Sequence, residues 1–119
     1  MEIIKNSNNS TKVDLFRMTQ GKEVISVKDV ADGTDFVATH YCEYKDIDHK
    51  GTEKVIFAFI SDNKVYATVS ETFKTSFYNM LDLFDGKSDS FKFHKISGIT
   101  KNDKPYVDCD LTIEETKKK

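Results

Sequence analysis

Residues 53–84 constrain the fold more than any other stretch of the chain. Val55, Phe57 and Phe59 alternate with Ile56, Ala58 and Ile60, and a period of two predicts a strand. Both alternating sets are apolar, so both faces of that strand need cover: the core on one side, and a helix, an arm, a partner chain or a ligand on the other. A tight Ser61-Asp62-Asn63 turn returns the chain into residues 64–69, with Val65, Ala67 and Val69 on one side and Tyr66 and Thr68 on the other. Ser70 then caps a helix, because its hydroxyl can accept a bond from an orphan amide one turn in, and Glu71 suits the positive end of the dipole. Phe73, Phe77, Met80, Leu81 and Phe84 form one apolar stripe at helical spacing, and Gly86 stops the helix.

Strands are predicted on both sides of this unit. Residues 23–27 form a short one, closed by a turn at Asp32-Gly33. Residues 35–46 form a long one, with Phe36, Ala38, Cys42 and Tyr44 on one face and Val37, Thr39, Tyr41, Glu43 and Lys45 on the other, and it must curve to stay on a small sheet. A last hairpin pairs residues 90–100 with 104–114 across Lys101-Asn102-Asp103, with Val107, Cys109, Leu111 and Ile113 inward. Pro105 opens its second strand, where a missing donor is tolerated, and Gly98 marks a bulge or corner in its first. The polar, turn-rich residues 1–11 predict a flexible arm, residues 12–19 a strand or irregular cover, and residues 116–119 a tail. The expectation is therefore an all-β domain with one helix over residues 12–115: an OB-fold, a five-stranded Greek-key barrel with the helix between strands 3 and 4.

Charge and composition narrow the function. A length of 119 residues suits one domain, and a net charge of -2 argues against a protein that coats duplex DNA by bulk positive charge. Of its 18 basic residues only Arg17 is an arginine, and lysine lacks the planar fork that reads guanine edges, so sequence-specific readout is not expected. Cys42 and Cys109 have no partner at metal-ligand spacing and read as reduced, buried thiols. No apolar run approaches a membrane span and no secretory leader begins the chain, so an intracellular, membrane-free protein is expected. For catalysis, Asp108 and Asp110 share one face of the final strand, and His40, Cys42, His49 and His94 could in principle make a metal or nucleophilic site. No nucleophile elbow, phosphate loop or metal motif organises them, and the aspartates read as solvation and edge protection. Neither an enzyme, a cofactor nor a metal site is expected.

Several short motifs recur in a telling order: Asp32-Gly33-Thr34, Glu43-Tyr44-Lys45, the run from Ser61-Asp62-Asn63-Lys64 through Val65-Tyr66-Ala67 to Ser70, and Leu81-Asp82-Leu83. In this the chain resembles the single-stranded DNA-binding protein of small protein-primed tailed phages of the Bacillus podovirus group, over roughly residues 29–114. The resemblance implies a protein at high copy in the host cytoplasm, coating displaced single strands during viral replication with little sequence preference. It implies base stacking on Tyr44 and Tyr66, and as partners single-stranded DNA, further copies along the strand and phage replication proteins. The loop at residues 47–52 lacks the tyrosine that those relatives carry.

Single-strand binding needs π-faces for bases and cations along the phosphates. Tyr41, Tyr44, Tyr66, His94 and Tyr106 supply the first, and Lys45, Lys54, Lys64, Lys92, Lys101 and Lys104 the second. Tyr66 is the strongest candidate, since Val65, Ala67 and Val69 supply a core-like face and its ring should point away from them. On that reading, Tyr66→Ala weakens binding without lowering the melting temperature. The alternative is a small phage-encoded interaction module on an OB-like barrel, regulating a host or replication enzyme through the apolar face around Ile56 and Ile60.

Overall fold

The computed structural model describes residues 1–113. In chain order the elements are β1 (Glu2–Asn6), α1 (Lys12–Gln20), β2 (Val24–Ser26), β3 (Asp35–Phe36), β4 (His40–Ile47), β5 (Glu53–Ser61), β6 (Lys64–Thr68), α2 (Glu71–Leu83), β7 (Phe93–Ile99) and β8 (Pro105–Leu111). Short 3-10 turns occupy Val27–Asp29 and Ser88–Ser90. The predicted hairpin and helix are present: Asp62 and Asn63 take φ of 51° and 63°, the left-handed pair a two-residue hairpin turn demands, and the Ser70 hydroxyl accepts from the Phe73 amide at 3.1 Å. Gly86, at φ 79°, donates its amide to Leu81 O at 2.8 Å and ends the helix.

The molecule is mostly β, but among the described residues its sheets do not close into the predicted barrel. One sheet has the order β1-β4-β5-β6-β2, with β2 parallel to β6, and the other the order β3-β7-β8. Closure needs an edge strand of one sheet to pair with an edge strand of the other, and among the described residues no such pair forms. β2 occupies the outer edge of β6, while on β8 the amides of Cys109 and Leu111 donate to the carboxylates of Asp108 and Asp110 at 2.7 and 2.9 Å.

Three local expectations are corrected. The predicted flexible arm contains β1, which pairs with β4, and its serines and asparagines satisfy backbone groups: the Tyr41 amide donates to Ser7 Oγ at 3.1 Å, and Asn9 Nδ2 donates to Thr39 O at 3.1 Å. Residues 12–20 form α1 instead of a strand, held by a capping box in which Thr11 Oγ1 accepts from the Asp14 amide and the Thr11 amide donates to Asp14 Oδ2. The long strand over residues 35–46 does not curve but breaks, its first part joining β7 and its second β5. The tail expected at 116–119 lies outside the described residues.

These changes explain how β5 is covered on both faces. Phe57 and Phe59 enter the main core with Phe36, Tyr41, Phe73, Phe77 and Phe93, between the large sheet, α2 and the small sheet. Ala58 and Ile60 enter a second cluster with Cys42, Tyr44, Val65 and Met18, beneath α1. Arg17 pins α1 over the hairpin end of that second face, donating to Asn63 O at 2.8 Å. Among the described residues no helix is long and apolar enough to cross a membrane.

Candidate nucleic-acid interface

α1 covers the second face of the large sheet only near the β5–β6 turn. Beyond its reach, the same face continues through Ala67, Ile56 and Tyr44 into an open groove of about 1170 Å³. The opposite wall is the β7–β8 hairpin, which contributes Ile99, Pro105 and Tyr106. Val24 of β2 and Val69, just past β6, complete the apolar surface. Val69 and Ile99 are 64% and 70% exposed, so this surface meets solvent directly.

Lys54, Lys28 and Lys95 supply the charge. Lys54 lies 54% exposed at the rim, its ammonium 4.0 Å from Asp48 Oδ2. Lys95 is 4% exposed, and its ammonium donates to Lys28 O at 3.1 Å and to Val30 O, with Asp32 Oδ1 at 3.6 Å. Those partners offset the cost of burying a cation and fix the segment before Gly33. Among the described residues no aspartate or glutamate lines the groove. Asp32, the carboxylate nearest Lys95, is held by the Ser97 hydroxyl at 2.7 and 2.8 Å.

Three of the eleven predicted site residues, Tyr44, Lys54 and Tyr106, meet in this groove. Tyr44 is 6% exposed at its floor, and burial, with the charge of Asp46, raises its phenol pKa. Tyr106 stands 38% exposed on the wall. Lys101 and Lys104 are exposed in the β7–β8 turn beside it. The others lie elsewhere. Tyr41 is buried in the main core, its ring 5.5 Å from that of Phe77. His94 shares Thr112 Oγ1 at 2.8 Å, Lys45 is half-buried on β4, and Lys64 flanks the β5–β6 turn at the α1 end. Lys92 lines a separate hollow with Phe84 and Leu111.

Tyr66 requires the main correction. Its ring does not point to solvent; it is half-buried in the main core, stacked on Phe59 with centroids 5.4 Å apart and edge-on to Phe36 at 4.8 Å. Val65 is also buried, but on the opposite face, under α1. Ile60, expected on an outer face, is 3% exposed in the same second cluster.

Lys28 and Lys95 were not predicted. A signal for Lys95 exists, since it shares strand parity with the inward Phe93 and therefore had to enter the interior with partners. The cysteines are buried, and burial raises both thiols, Cys42 to about 11, which suppresses thiolate chemistry at neutral pH. Among the described residues no three His, Cys, Asp or Glu side chains gather as a metal site. Comparison of the chain with protein-family models, with curated proteins and with solved structures finds no match.

Proposed function

We propose that the protein binds single-stranded nucleic acid, with little sequence preference and without catalysis, in the groove between β6 and the β7–β8 hairpin. The observation that carries this reading is the groove's composition: an apolar floor and wall with Tyr106 exposed, lysines at the rim, and no carboxylate among the lining residues. Bases need flat or apolar surfaces and phosphates need cations, and a carboxylate on the path would oppose both binding and its electrostatic steering. Lysine point charges attract phosphate without reading base edges.

The order β4, β5, β6, α2, β7, β8 supports the finer reading of the fold as an opened OB-type unit, with β1, β2, β3 and α1 added around it. OB-folds bind oligonucleotides on their second and third strands and on the loop between the last two. Ile56 and Lys54 on β5, Ala67 on β6 and the β7–β8 turn occupy those places. The setting, coating of displaced strands during protein-primed viral replication in the host cytoplasm, rests on the sequence resemblance alone.

The exposed Val24, Val69 and Ile99 favour one competing occupant, an acidic protein segment with apolar side chains. Titration with oligo-dT at low salt separates the two. The chain has five tyrosines and no tryptophan, so stacking is read as quenching of tyrosine fluorescence. Quenching, with affinity falling as salt rises, is the expected result, and Lys54→Ala should reduce the salt slope by about one. No quenching at low salt would reject the nucleic-acid reading in favour of the protein partner.

A further inference from the structure

Gly98 and Tyr106 are register partners on β7 and β8, and both line the groove. A side chain at Gly98 would collide with the Tyr106 ring: a Cβ built there lies 2.6 Å from Cζ and 2.9 Å from Cε2, and meets the hydroxyl as well. The ring therefore lies across the bare glycine backbone, in the space any other residue would fill. A glycine inside a strand weakens it and needs a reason, and close approach of an aromatic ring is one. With the ring against Gly98, Tyr106 is still 38% exposed and lines the groove.

We propose that Gly98 is a positioning residue that lays Tyr106 flat as the stacking platform of the groove, taking one nucleobase of any identity. This rests on the single-strand-binding reading above. It names the subsite: one base on Tyr106, the adjoining phosphates toward Lys54 on the facing sheet and Lys101 and Lys104 in the turn. A ring held by the backbone beneath it loses little freedom on binding, which favours a stacked base over a mobile surface tyrosine.

Two measurements test it. Without any nucleic acid, ring current from Tyr106 should shift the Gly98 Hα resonances upfield, and Tyr106→Ala should return them to ordinary values. Unshifted Gly98 resonances in the wild type would overturn the flat placement. In oligo-dT titrations, Tyr106→Ala should lower affinity about tenfold, within the range for one lost stacked base. Gly98→Ala should lower it nearly as much with the tyrosine intact, and should add nothing in the Tyr106→Ala background, where the space is empty. Melting curves of all four proteins separate loss of fold from loss of platform. Wild-type affinity in either single variant, or an equal loss from Gly98→Ala in both backgrounds, would overturn the positioning role while leaving single-strand binding intact. A wild-type protein that does not bind oligo-dT would overturn both.

Discussion

At the scale of single residues, alternation locates a strand but cannot choose which face meets which layer when both faces are buried. Val65 and Tyr66 show the difficulty. The apolar run Val65, Ala67, Val69 reads as the core side and leaves Tyr66 for solvent, an inference valid for a sheet with one wet face. Here the large sheet is covered twice: Phe57, Phe59 and Tyr66 belong to the main core with Phe73 and Phe77 of α2, while Ala58, Val65 and Ala67 belong with the second cluster near α1. The consequence reverses the expectation for Tyr66→Ala. Truncating a half-buried ring stacked on Phe59 should cost about 2 kcal/mol, below the range for fully buried aromatics. Urea unfolding should show a lower midpoint at unchanged m-value, and Tyr66→Phe should stay near wild type. A midpoint unmoved by Tyr66→Ala would return the ring to the surface.

At the scale of elements, the legible parts were those whose pattern is satisfied locally. α2 has its cap, stripe and stop within its own sequence, and the β7–β8 hairpin has its turn, with Asp103 at φ 59°. β1 and α1 were not legible, because their support comes from elsewhere in the chain. The Asn and Ser residues after β1 look like a loop until Tyr41 and Thr39 appear as partners for their polar groups. In α1 only Met18 is fully buried, while Val13 and Phe16 are 68% and 56% exposed, so the apolar residues do not trace a single stripe. The missed signal is Thr11-Lys12-Val13-Asp14, a capping-box spacing with aspartate at its fourth position. Thr11→Ala should destabilise the protein by about 1 kcal/mol, with Thr11→Ser close to wild type. Hydrogen exchange gives the local readout: the Asp14 amide loses protection in the alanine variant. Unchanged protection there would mean that tertiary packing on Met18 alone holds the helix.

At the scale of the whole molecule, charge is divided between two regions. Among the described residues no carboxylate lines the groove itself, Asp48 and Asp32 standing behind its lysines, while on the α2 side Glu43 of β4 joins three elements. Its Oε2 accepts from the Lys74 ammonium of α2 at 2.9 Å and its Oε1 from the Tyr78 hydroxyl at 2.8 Å, and the Lys5 ammonium of β1 sits 4.5 Å over the Tyr78 ring. Glu43 and Lys74 are only 12% and 13% exposed, so screening of this pair is limited. Burial pushes the Glu43 pKa up, but the hydrogen bonds from Lys74 and Tyr78 and the charges of Lys74 and Lys5 outweigh it, and the net direction is down. A carboxylate held below its unfolded value stabilises the fold fully above the ordinary glutamate range near 4.5, and that contribution disappears as pH falls through the depressed native value. Asp14, lowered chiefly by the Thr11 amide, adds to the same acid limb. Glu43→Gln should therefore be less stable than wild type at pH 7, since among the described residues Lys74 keeps only the exposed Glu71 as an ionic partner. Its stability should also fall less steeply on acidification. Urea unfolding between pH 7 and pH 3 is the check: the two curves should converge toward the acid end, and curves that stay parallel would assign the acid sensitivity to other carboxylates.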